Sequence, residues 1–220
     1  MNTFSTSSIK HILWDWNGTL LNDVELTVEV TNEVLVPHGG PSIDIHYHRR
    51  NFLFPVADYY HHLGFPPERL DHAVIHSAWG ERYEARKIEC DLHEGAHGVL
   101  GELTTRGFKQ AILSAYPEDL LRETVAHYKI ETHFRGIFGN PTNDGTSKLQ
   151  TARRLLHELA IDPAEALIVG DTHHDAEIGG ALGCPVILVS HGHQDHARLA
   201  TTPHPVCRTL HEVSALLKRD

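Results

Sequence analysis

Residues 9–21 read Ile-Lys-His-Ile-Leu-Trp-Asp-Trp-Asn-Gly-Thr-Leu-Leu. A short apolar, β-prone run ends in Asp15, and Gly18-Thr19 turn the chain at once. Such a run, stopped by polar residues and glycine, reads as a buried strand over residues 10–14. Asp15 stands at its carboxyl end, where open α/β sheets bind their ligands. That makes Asp15 the candidate reacting group. An aspartate nucleophile needs a cation to hold a phosphate, donors for its oxygens and shelter from water. Simple solvation explains a strand-end aspartate equally well, so the case depends on what the rest of the chain supplies.

Outward from this stretch, Leu21, Val24, Val28 and Leu35 have near-helical spacing from Leu20 to about Val36, and Pro37 to Pro41 stop the helix. Residues 42–89 hold no good strand. Short helices are expected at 45–52 and 56–63, with Pro55 between them, and a longer one from Pro66-Pro67 to about Ile88. Beyond residue 90, helix and strand alternate. Helix 93–106 precedes strand 108–113, which ends in Ser114-Ala115, and Pro117 opens a helix to Tyr128. Strand 136–139 is followed by an amphipathic helix over 146–160. Strand 166–169 ends in Gly170-Asp171, before helix 175–182. Strand 185–189, a pair at 206–207 and helix 209–217 complete the chain. The alternation predicts an α/β fold with a doubly wound parallel sheet. The expected division is a core of residues 1–21 and 91–220, with an all-α insertion at 22–90.

Parallel strands put their carboxyl ends on one edge. Asp15, Ser114, Lys148 and the pair Asp171/Asp175 can therefore converge although they are far apart in sequence. The ordered pieces Asp-Trp-Asn-Gly-Thr-Leu (15–20), Leu-Ser-Ala (113–115), Lys148 and Gly-Asp-Thr-His-His-Asp (170–175) resemble the haloacid dehalogenase superfamily of aspartate-nucleophile hydrolases. The insertion resembles the helical cap of its phosphoglycolate-phosphatase-like branch. The resemblance implies a Mg²⁺-dependent hydrolase of a small phosphorylated metabolite. Asp15 would attack phosphorus and become an aspartyl phosphate. Mg²⁺ would be held by Asp15, Asp171 and the backbone carbonyl of Asn17, with Asp175 binding it or orienting its waters. Ser114 would donate to a phosphate oxygen with backbone help, Gly18, Thr19 and Ala115 completing that substrate-binding set. Lys148 would offset charge between nucleophile and phosphoryl group. Taken singly, Ser114 also suits a helix cap, Lys148 a solvated first turn, and Asp171 and Asp175 the capping of the next helix.

One position departs from the family's phosphatases. They carry an aspartate two residues after the nucleophile, which protonates the leaving oxygen and later activates water; here it is Asn17. An amide cannot exchange a proton at neutral pH, and general acid–base help is worth about 10²–10⁴-fold. Three readings follow: a slower phosphatase acting on a good leaving group or using His173 or His174, a different reaction, or a phosphate-binding regulatory protein. The first is preferred.

Bulk properties set the frame. Lys+Arg 19 against Asp+Glu 29 give a formal charge of −10, which argues against nucleic acid and anionic membrane as partners. Residues 1–8 lack a signal-peptide core and no apolar run reaches the length of a membrane span, so a cytoplasmic protein is expected. Cys90, Cys184 and Cys207 are scattered, as reduced thiols would be. The 20 histidines spread along the whole chain. His191-Gly-His193-Gln-Asp195-His196 matches the spacing of a dinuclear zinc hydrolase, yet the residues beyond offer little to complete one, and a histidine-rich surface loop is the preferred reading. In the insertion, Arg49 and Arg50 with His46 and His48 form a basic cluster. Arg49 is a candidate reader of the substrate's far anionic end, and a solvated helix face is as good an account.

Overall fold

The computed structural model describes residues 7–64, 72–141 and 147–217. Strand β1 (His11–Trp14) is buried on both faces, so its side chains form a continuous apolar run rather than an alternation with polar residues. It lies between β2 (Lys109–Pro117) and β4 (Ala166–Gly170), parallel to both, with Trp14 opposite Ile112 and Val169. β3 (Phe134–Asn140), β5 (Val186–Val189) and β6 (Val206–Cys207) complete a parallel sheet of order β3-β2-β1-β4-β5-β6. The strand order reverses between β1 and β4, the place where doubly wound sheets open a crevice for ligand.

The period of two along each strand feeds two cores. Ile12, Trp14, Leu167, Val169 and Ile187 pack on one face with α5 (Ala96–Thr105), α6 (Glu118–His127) and α10 (Leu210–Leu216). Leu13, Leu113, Ile168 and Leu188 pack on the other with α7 (Lys148–Glu158) and α8 (His173–Leu182). A third buried cluster draws on residues 26 to 83. Its helices are α1 (Val24–Leu35), α2 (Ile45–Asn51), α3 (Val56–His62) and α4 (His72–Arg86), all lying between β1 and α5 in sequence.

Differences from the sequence reading lie at element ends. α1 starts at Val24 rather than Leu20, because the N–H groups of Leu20 and Leu21 both donate to the Trp16 carbonyl at 3.0 Å and close a turn first. α5 starts at Ala96, after Gly95 at φ 81°. β2 continues through Ser114-Ala115 to Pro117, so Ser114 is a strand residue and not a helix cap. α8 begins at His173, two residues early, and the short helix α9 (His196–Leu199), capped by Asp195, has no counterpart in the sequence reading. The Pro66-Pro67 helix start lies outside the described residues, as does Thr146.

Candidate active site

The β1 ladder runs one residue beyond the strand: the Asp15 N–H donates to the Val169 carbonyl at 2.8 Å. This places Asp15 beside Gly170-Asp171 at the sheet's switch point. Asp15, Asp171 and Asp175 each offer a carboxylate oxygen within 4.8 Å of the others. Lys148, the first residue of α7, enters this group. Its ammonium lies 2.7 Å from Asp15 Oδ1 and 2.6 Å from Asp175 Oδ1. Ser147 holds the start of α7 by capping it, and so sets where Lys148 points.

Charge in this pocket is out of balance. Burial pushes the Asp15 carboxyl up to about 7 and the Asp171 carboxyl up to about 6; neighbouring carboxylates add to both shifts. Burial acts on Asp175 in the same direction, but Lys148 and Thr172 outweigh it and hold that group below its usual range. Three carboxylates against one ammonium leave a surplus of negative charge built from hard oxygen donors, which fits a divalent cation such as Mg²⁺. The backbone makes room for these carboxylates. A Cβ on Gly192 would lie 2.2 Å from Asp171 Oδ2, one on Gly18 2.3 Å from the same atom, and one on Gly170 2.1 Å from Asp175 Cγ. Asp171 also accepts from Thr19 Oγ1 at 2.9 Å and from the His193 N–H at 2.6 Å.

Asn17 is tied down. Its Nδ2 donates to Asp23 Oδ2 at 2.8 Å and to the Tyr83 hydroxyl at 2.6 Å, which together use both amide protons. Asp23 sits at the N-cap of α1 but makes no side-chain cap. Its oxygens accept instead from Asn17, from the Gly18 N–H at 2.8 Å and from the Tyr83 hydroxyl at 2.6 Å. Burial works against the Asp23 charge, yet His193 and these donors prevail and hold it at about 2, so the carboxyl stays ionised. From Asp23 a buried row continues: His193 Nε2 at 3.5 Å, then His193 Nδ1 to His48 Nε2 at 3.0 Å, then His48 Nδ1 to the Tyr59 hydroxyl at 3.0 Å. The sequence reading missed Asp23, Tyr83 and Gly192 as neighbours of the site. Asp23 carried one signal, a polar residue just before an apolar helical period; Tyr83 carried none.

A cavity of about 450 Å³ opens from the carboxylates and is lined by Asp15, Asn17, Ser114, Ala115, Lys148 and Asp171 at its polar end. Ser114 Oγ accepts from the Tyr116 N–H at 3.1 Å. Gly18 and Thr19 do not line the cavity; they hold Asp23 and Asp171. Arg49 departs from its expected role. It does not line the cavity, and its guanidinium donates to the carbonyls of Gly192 at 2.9 Å and His191 at 2.6 Å, docking α2 on the loop after β5. His173 is held by Gln194 and Thr201 away from the cavity, while His174 lines it beside Phe54.

The proposed zinc motif is dispersed. His191 Nε2 donates to the Thr19 carbonyl and its ring stacks on His93, His193 faces Asp23, Asp195 caps α9 and His196 begins it. Among the described residues these four side chains form no group that could hold a metal ion; Asp15, Asp171 and Asp175 could.

A family model described as haloacid dehalogenase-like hydrolase matches residues 12–189. The chain is 26% identical over 196 residues to the tyrosine-protein kinase PtkA of Mycobacterium tuberculosis, covering 83% of this chain and 62% of that protein. It thus spans less than two thirds of that relative's length. The solved PtkA structure superposes with a TM-score of 0.81 at 24% identity, covering 97% of this chain and 100% of that one. A 5'-nucleotidase of Pseudomonas aeruginosa is 26% identical over 214 residues, covering 94% of this chain and 95% of the relative. A phosphoglycolate phosphatase of Rhodobacter capsulatus is 25% identical over 217 residues, covering 93% and 94%.

Proposed function

We propose, from the premise that this chain belongs to the haloacid dehalogenase-like hydrolase family, that it hydrolyses a small phosphate monoester through Asp15 with Mg²⁺ bound. The observation that carries this reading is the convergence of Asp15, Asp171 and Asp175 on one ammonium, Lys148, at the mouth of a cavity. The residues in 22–90 are read as a cap that covers that mouth and excludes water.

Asp15 Oδ1 is held by Lys148 and by the Trp16 N–H at 2.8 Å, which leaves Oδ2 to attack phosphorus. The attack forms an acyl phosphate on Asp15 and splits one hard displacement into two. Lys148 offsets the charge that gathers between nucleophile and phosphoryl oxygens, and the Ser114 hydroxyl donates to one of those oxygens. Asp15, Asp171, the Asn17 carbonyl and Asp175 would hold Mg²⁺, which would supply the positive charge that lets three carboxylates and a phosphate share the site. Thr19 and the His193 N–H orient Asp171 for that task.

The test is phosphate release from a panel of phosphorylated metabolites, with Mg²⁺ and with a chelator, by wild type and Asp15→Asn. Turnover that needs both Mg²⁺ and Asp15 is expected. Equal rates in the Asp15→Asn protein would end the reading. The engaged amide of Asn17 favours one second reading, a phosphate-binding protein of low turnover. Beryllium fluoride bound at Asp15 without measurable turnover would be its signature.

A further inference from the structure

The cavity beyond the carboxylates has a composition that selects among phosphate esters. Phe52, Phe54, Tyr60, Trp79, Tyr83 and Tyr116 line it. Trp79 and Tyr83 stack in parallel, with centroids 4.8 Å apart and planes 13° apart, and Tyr116 stands nearly edge-on to Tyr83 at 6.3 Å. Flat apolar walls of this kind suit a planar aromatic group. Among the described residues, Lys148 is the one lysine or arginine that lines the cavity, and it is already paired with Asp15 and Asp175. Asp23 and Glu84 line it too, with His76, His174 and His193. A second anionic group on the substrate would therefore meet carboxylates, aromatic faces and imidazoles, and among the described residues no lysine or arginine beyond Lys148, with Arg49 turned to backbone carbonyls.

The reacting end gives an independent argument. The position that would protonate the leaving oxygen is an amide, and both its protons are taken by Asp23 and Tyr83. This position gives the leaving oxygen no proton, which favours a leaving group that is stable as an anion. A phenol has a pKa of about 10, whereas an alkoxide is close in basicity to hydroxide, whose conjugate acid has a pKa of about 15.7. An aryloxide leaves without help far more readily than an alkoxide.

We infer that the substrate is an aryl phosphate, a phosphate monoester of a phenolic hydroxyl whose ring lies in the aromatic part of the cavity. This deepens the phosphatase reading above and rests on it. An Asp15 carboxylate oxygen forms a bond to phosphorus while the bond from phosphorus to the aryl oxygen breaks. The electron pair stays on that oxygen, which takes a proton from solvent. Water then attacks phosphorus, the bond to Asp15 breaks with its electron pair left on the carboxylate, the water's oxygen and one of its protons leave with orthophosphate, and its other proton passes to solvent.

The experiment compares 1-naphthyl phosphate, 1-naphthylmethyl phosphate and phosphoglycolate with Mg²⁺, using wild type, Asp15→Asn, Trp79→Ala and Phe54→Ala. The two naphthyl esters share a ring and differ in leaving group, so ring recognition and leaving-group dependence are read separately. The expected result is kcat/KM for 1-naphthyl phosphate at least 10-fold above both others. Trp79→Ala should raise both naphthyl KM values about 5-fold or more. Phe54, being 40% exposed, gives a second variant that tests the same wall without threatening the fold. Asp15-dependent turnover that favours phosphoglycolate, or naphthyl KM values unmoved in both variants, would overturn the aryl assignment while leaving the phosphatase reading in place. No Asp15-dependent turnover of any ester would overturn both.

Discussion

Asn17 is the residue on which the proposed chemistry turns. A carboxyl in its place would supply a proton to the leaving oxygen, but it would also sit beside the Asp23 carboxylate, now 2.8 Å from Asn17 Nδ2. That neighbour would keep the new group protonated, as a general acid requires. Asn17→Asp is therefore expected to raise turnover of alkyl phosphates by about 10²–10⁴-fold and that of aryl phosphates much less; steady-state rates on both kinds check it. On the proposed aspartyl-phosphate route, Asn17 likewise offers no base for the second step. Wild type should release one equivalent of naphthol in a rapid burst before a slow steady phase, because on that route hydrolysis of the acyl phosphate would limit turnover. Stopped-flow or quenched-flow measurement reads the burst, and Asn17→Asp should shrink it. The aspartate and its neighbours were legible as a set of residue types at strand ends. What Asn17 does with its amide was not, because Tyr83 is 66 residues away and reaches it only through the packing of α4.

At the scale of elements, the loop after β5 joins the two halves of the site. It carries Gly192 against Asp171, His193 against Asp23, and the carbonyls that hold Arg49 of α2. Gly192→Ala would drive a Cβ to 2.2 Å from Asp171 Oδ2 and 2.4 Å from the Gly18 carbonyl. Backbone and carboxylate must both shift, so Mg²⁺ affinity is expected to fall about 10–100-fold, measured by titrating activity with the metal. Gly180→Ala, where a Cβ meets nothing within 4 Å, is the control and should change nothing. Arg49→Ala removes two charge-assisted hydrogen bonds between α2 and this loop. A stability loss on the order of 1–3 kcal/mol is expected, together with a higher KM; urea melts and kinetics check the two. The strand and helix types were readable from periodicity, and their ends were not. The start of α1, for example, was moved to Val24 by hydrogen bonds to a single carbonyl at Trp16.

For the whole molecule, the buried carboxylates link stability to pH and to metal. Asp15 moves from 3.8 to about 7 and Asp171 from 3.8 to about 6, each by burial first and by neighbouring carboxylates next. Both are raised, so the folded state holds these protons more tightly than the unfolded chain does. The stability they contribute is complete below pH of about 4 and is lost as pH rises through about 6 to 7. In chelator, the unfolding midpoint should drop between pH 5 and pH 8. On the proposed reading Mg²⁺ would compete with protons for the same oxygens and should raise the midpoint by more at pH 8 than at pH 5. Calorimetry at the two pH values checks this, and the difference should shrink in Asp15→Asn. Among the described residues no helix is long and apolar enough to cross a membrane.

The sequence by itself determined the alternation of strands and helices, the parallel sheet that follows from it, and the chemical kinds standing at its carboxyl edge. These depend on short-range features: the period of apolar side chains and the glycine turns that end each strand. Only the tertiary structure decided the partnerships. His191, His193 and Asp195, a plausible ligand row along the chain, were dispersed to Thr19, Asp23 and α9. Arg49 was turned onto carbonyls, and an aromatic wall was assembled from residues 52 to 116. The reason is physical: a side chain's partner is set by where packing puts groups more than a hundred residues apart, and no local pattern encodes that distance.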